Sequence, residues 1–134
     1  MSEFAQGTII TTIFNERDSS FGIVCPSGQL DATPSFGITT KQIAVQSGEH
    51  VLVQILIDGR NYPFHMTAEF SSLGFKGAGR AARESMGALA DALARGRQRN
   101  FVVEYPKYGK SESFSLLDAR RILGTGRTGI LEGC

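Results

Sequence analysis

Val51 to Phe70 restricts the fold of this chain more than any other stretch. Val51, Val53, Ile55 and Ile57 recur at every second position, with Leu52, Gln54 and Leu56 on the opposite face. Asp58-Gly59 follows, a dipeptide suited to the left-handed positions of a two-residue hairpin turn. Beyond it Tyr62, Phe64, Met66, Ala68 and Phe70 alternate with Asn61, Pro63, His65, Thr67 and Glu69. Alternation on both arms predicts an antiparallel hairpin with one buried face. Pro63 cannot donate to a strand ladder, so an edge or a bulge is expected there.

The remaining segments extend the pattern. Thr8–Phe14 is β-branched and aromatic, and Phe21, Ile23 and Cys25 alternate up to Pro26, giving two further strands with Cys25 on the inward face. Leu30, Phe36-Gly37-Ile38 and Ile43-Ala44-Val45 suggest short strands, and Gly74, Gly77 and Gly79 read as a loosened loop. Ala82, Met86, Leu89 and Leu93 are spaced as one helix face, which predicts a main amphipathic helix over about 80–95. Arg95 suits its negative end, and Gly96 beyond it reads as a residue free to turn left-handed. Phe101, Val103 and Tyr105, then Ser111–Leu116, form another strand pair. A short helix follows over about 116–123, and Ile130-Leu131 suggests a last brief strand. Strands outnumber helices and pair locally, so the expected class is α+β and β-rich, an antiparallel sheet or sandwich-like domain.

A chain of 134 residues suits one domain with a real core, taken as residues 7–134. Residues 1–6 read as a tag or disordered N-terminus, because Glu3-Phe4 matches what a common cloning site encodes. Met1-Ser2-Glu3-Phe4 is not a signal peptide, having neither a basic start nor an apolar core. No run is long and apolar enough for a transmembrane segment. The net charge of +1 hides a division: residues 1–75 sum to −4 and residues 76–134 to +5. Such polarity suits an acidic partner or self-association. The two cysteines, Cys25 and Cys134, either close a loop of about 109 residues, worth roughly 4–5 kcal/mol in the chain-entropy model, or remain two free thiols.

Catalytic and cofactor motifs are weak. His50 and His65 fall on polar strand positions and no Cys/His spacing suits zinc, so no metal and no cofactor is expected. Gly109-Lys110-Ser111 imitates a P-loop, but Glu104 stands where its first glycine belongs. Gly124 to Gly129 spells G-x-G-x-x-G without the strand before it or the helix after it. Gly77-Ala78-Gly79 precedes a helix whose first turns carry Arg80 and Arg83, where an anion could dock or the glycines simply punctuate. The best surface is basic: Arg95, Arg97 and Arg99 at the turn out of the helix, residues suited to bidentate recognition of carboxylates. Phe101 and Tyr105 are committed to the core, which argues against nucleic acid.

Several of these elements together resemble small exported bacterial proteins of the invasion-associated locus B type. They are Val51 and Val53 ahead of Asp58-Gly59; Leu89, Ala92, Leu93 and Gly96; Phe114, Ser115, Leu116, Ala119 and Leu123; and the closing Cys134, with Cys25 on an early strand. The resemblance implies a periplasmic or secreted envelope domain with a Cys25–Cys134 disulfide and an accessory or host-interaction role without catalysis. The expected function is therefore an exported, non-enzymatic protein-interaction domain. It would bind an acidic protein surface through Arg80, Arg83, Arg95, Arg97 and Arg99. A cytoplasmic inhibitor or immunity protein, with Met1 native, is the alternative, and a small hydrolase or ligand-binding enzyme a more remote one.

Overall fold

The structure, a computed structural model, describes residues 2–5, 8–26 and 33–123, with side chains over 12–24 and 33–121. Nine strands form one antiparallel sheet: β1 (Ser2–Ala5), β2 (Thr8–Phe14), β3 (Ser20–Pro26), β4 (Ser35–Thr39), β5 (His50–Ile57), β6 (Arg60–Glu69), β7 (Ser72–Lys76), β8 (Asn100–Tyr105) and β9 (Lys110–Ser115). The main helix, α1, runs Arg80–Arg95 and the short α2 runs Leu116–Leu123, the spans that periodicity predicts. Strand order is β1-β2-β3-β4-β7-β6-β5-β8-β9. The domain is thus β-rich α+β, but its sheet curls on itself and does not split into two stacked layers. β2 to β9 wrap into a nearly closed barrel, with β1 as an added strand outside β2. Residues 1–6 were expected outside the domain, yet Ser2–Ala5 pair with Thr8–Thr11.

Alternation decides which side chains fill the barrel. Val51, Val53, Ile55 and Ile57 of β5, Phe64, Met66 and Ala68 of β6, and Phe101, Val103 and Tyr105 of β8 all point inward and are buried. Six phenylalanines, Phe21, Phe36, Phe64, Phe75, Phe101 and Phe114, interlock with ring centroids 4.8–6.0 Å apart. Met86, Leu89 and Leu93 of α1 join this core, each burial contributing about 1.5–3 kcal/mol. α1 leaves the end of β7 and delivers the chain to the start of β8, so it crosses one mouth of the barrel. α2 follows β9 at the same mouth and packs on α1.

Several local expectations are corrected. Ser72–Lys76, read as loop for its glycines, is β7, paired with both β4 and β6. Ile43-Ala44-Val45 forms no strand; Ile43 is buried from a loop instead. Phe70 is not the last inward residue of β6 but a turn residue 80% exposed. Pro63 sits without a bulge in the continuous β5–β6 register. It lies beyond the stretch of β6 that β7 covers, so no neighbour there lacks a donor. Gly96 is not left-handed: its φ is −58° and ψ 142°. Leu30, Ile130-Leu131 and the Gly124–Gly129 run lie outside the described residues.

Candidate functional site

The arginines gather on the helix-capped end. Arg80 and Arg83 begin α1, Arg95 ends it, Arg97 and Arg99 follow it, Arg60 opens β6, and Arg120 and Arg121 lie on α2. These are eight of the ten arginines in the chain. The five expected binding residues share this end without sharing one spot. A helix of 16 residues holds Arg80 and Arg83 roughly 20 Å from the Arg95–Arg99 elbow.

The elbow is fixed from three sides. The Asp58-Gly59 turn has φ 50° and 80°, as a primed hairpin turn requires. That turn aims the Asp58 carboxylate at the chain leaving α1. It accepts from the backbone N–H of Arg97 at 2.9 Å and of Gln98 at 3.1 Å. These two donors, Arg97 foremost, hold the Asp58 carboxyl below its ordinary range. Arg120 Nη1 donates to Gly96 O at 2.8 Å, and Leu116 N donates to Arg99 O at 2.8 Å. With the backbone spoken for, the Arg97 and Arg99 side chains project from a rigid base into solvent. Arg95 pairs with Asp91 at 2.9 Å and Arg80 with Glu84 at 3.4 Å; all four are largely exposed, so these pairs are weak and exchangeable.

The opposite end holds the buried polar centre that the sequence reading missed. Glu112 points into the barrel at 5% exposure. Its Oε2 accepts from Tyr105 Oη at 2.6 Å and Thr40 Oγ1 at 2.7 Å, and its Oε1 accepts from Asn15 Nδ2 at 2.9 Å. Ser19 Oγ donates to Thr40 Oγ1 at 3.1 Å. Asn15 Nδ2 also reaches Ser113 O at 3.0 Å, which ties the β2–β3 turn to β9 where the barrel comes nearest to closing. Burial pushes the Glu112 carboxyl up, but the polar groups around it, Ser19, Tyr105, Asn15 and Thr40, together outweigh it and leave it lowered. Burial, then the bond to Glu112, pushes the Tyr105 hydroxyl well above the usual tyrosine range. One carboxylate satisfied by three neutral donors is built to hold strands together. One sign was available: Glu112 shares its parity with the inward Phe114.

A third cluster lies on the surface of that end. Glu49 accepts from Lys107 Nζ at 2.8 Å and from the Tyr108 hydroxyl. Lys107, then Tyr108, holds the half-buried Glu49 carboxyl at about 2. His50 and His65 are both exposed on the sheet exterior, as their polar positions predict. Gly109 turns left-handed, φ 63°, into a strand, so Gly109-Lys110-Ser111 lacks the helix a P-loop needs. Cys134 and the Cys25 side chain lie outside the described residues.

No curated protein and no solved structure matches the chain. The family model for YfjT matches residues 1–123, and the chain belongs to the YfjT family.

Proposed function

We propose that this domain is a non-enzymatic interaction module, exported to the bacterial envelope, whose helix-capped end docks an acidic protein surface. The observation that carries the reading is the gathering of eight arginines at one end of the barrel, with Arg95, Arg97 and Arg99 on a rigid elbow. Arg60, Arg99 and Arg121 make no salt bridge among the described residues, and the bridges of Arg80 and Arg95 are solvent-exposed. Charges held ready in this way speed encounter and lower the ordering cost of binding. Arg95, Arg97 and Arg99 changed together to Glu are expected to leave the melting curve within a few degrees of wild type. The same variant should retain no partner in pull-downs from an envelope lysate, and wild-type capture should weaken as salt is raised. Unaltered capture by the triple variant would overturn the reading.

Export rests on the resemblance to the locus B proteins and has its own test. The intact mass before and after reduction and alkylation is expected to report a Cys25–Cys134 disulfide in protein recovered from cells. Two thiols that alkylate without reduction would instead point to the cytoplasm and to the inhibitor alternative.

A further inference from the structure

Phe70 is anomalous. It is the first of two turn residues between β6 and β7, with φ 56°, a position usually given to Gly, Asn or Asp. A bulky side chain is strained there, and this one is also 80% exposed. Glycine would adopt this backbone without strain.

Beside it the outer face of β4, β7 and β6 is hollowed into a groove of about 820 Å³, lined at its edge by Ser47, Glu69 and Ser72. Register explains the hollow. Gly22 pairs with Gly37 and Gly37 with Gly74, so three adjacent strands carry no side chain along one row. Internal crowding does not require glycine at 74, where an added Cβ would meet nothing nearer than Thr67 O at 4.0 Å. The two ends of the groove are oppositely charged, Glu69 at one and Lys76 at the other. Both are exposed, and neither forms a salt bridge among the described residues.

We propose that this face is the interface of a homodimer, with a two-fold axis along the glycine row laying the groove of one copy against that of the second. Rotation about that axis reverses strand direction, so the Glu69 end of each copy meets the Lys76 end of the other. The charges complement each other twice, once at each end. The glycine row lets the two backbones approach at the centre. Phe70, one residue past Glu69, reaches the second copy's Lys76 end and covers the aliphatic stem of that lysine. An exposed, strained phenyl ring gains nothing in a monomer and is buried in the dimer. The Arg95–Arg99 elbow, at the far end of α1 from β7, stays clear of this interface.

Sedimentation equilibrium of the full chain at about 100 µM, well above a micromolar dissociation constant, tests the proposal. Wild type is expected at the mass of two 14.5 kDa chains. Glu69→Lys and Lys76→Glu are each expected at the mass of one, and the doubly reversed chain at the mass of two again. Phe70→Asn should melt higher than wild type under dilute conditions where both are monomeric, and should weaken the dimer by about tenfold or more. Monomeric wild type, single reversals that stay dimeric, or a double reversal that stays monomeric would each overturn the proposal.

Discussion

Glu112→Ala is expected to lower the unfolding free energy by about 3 kcal/mol, a fall of roughly 10 °C in melting temperature for a domain of this size. The variant removes the common acceptor of Tyr105, Thr40 and Asn15 and strands their donors in the interior. It also releases Asn15, the side chain that ties the β2–β3 turn to Glu112 and Ser113 of β9. Urea denaturation measures the loss, and a change under about 1 kcal/mol would show that water reaches and satisfies these groups. Tyr105→Phe, which removes one donor and leaves the carboxylate with two, should cost only about 1 kcal/mol.

The same centre sets a pH dependence. The folded-state pKa of Glu112 lies below its ordinary 4.5, so its contribution is complete above that value and drains away as pH falls through the folded pKa. Glu49 and Asp58 are also lowered and act in the same direction, so the wild type should lose stability on acidification below about pH 4.5. Salt separates the contributions. High salt screens the Glu49–Lys107 pair, whose lysine is exposed, more than the buried Glu112 share. Glu112→Gln should flatten the part of the acid slope that survives salt, and an unchanged slope would place the acid sensitivity elsewhere.

Gly96→Ala is expected to destabilise by about 2 kcal/mol through overpacking. A Cβ at position 96 would lie 2.3 Å from Leu116 Cδ2, 3.0 Å from its Cγ and 3.1 Å from Ala92 O. Leu116 is fully buried and has no free space to swing into, so α1 and α2 must separate at the point where Arg120 holds Gly96 O. With φ −58° the backbone itself accepts any residue, which makes the cause testable. In a Leu116→Ala background the same change should cost less than about 0.5 kcal/mol, a coupling that a double-mutant cycle reads directly. Equal costs in both backgrounds would mean that the backbone, and not Leu116, demands glycine.

Much of the fold is legible in the sequence wherever a segment carries its own period. The β5–β6 hairpin, the span of α1 and the β8–β9 pair follow from alternation, helical spacing and turn chemistry that act within about ten residues. β7 was illegible because Ser72-Leu73-Gly74-Phe75-Lys76 has only two apolar side chains. Its pairing with β4 and β6 makes it a strand, and its glycine lies in a row with two others from distant segments. Phe70 continued the β6 alternation by its identity, yet the turn needed a residue at that place and took it out of the face. Gly96 was expected to be glycine for its own conformation. It is glycine for the sake of Leu116, twenty residues on.

The sequence by itself determined the class of this protein, an antiparallel β-rich domain with one main and one short helix, because those signals are local. It also placed most arginines in the second half of the chain. Only the tertiary structure decided that α1 crosses one mouth of the barrel and turns a charge difference along the chain into a basic end. Only the curl of the sheet brought Asn15, Ser19, Thr40, Tyr105 and Glu112 into one buried centre. No pair among the last three is closer than seven residues, and a hydrogen-bond network between separate strands and turns has no signature in any one of them.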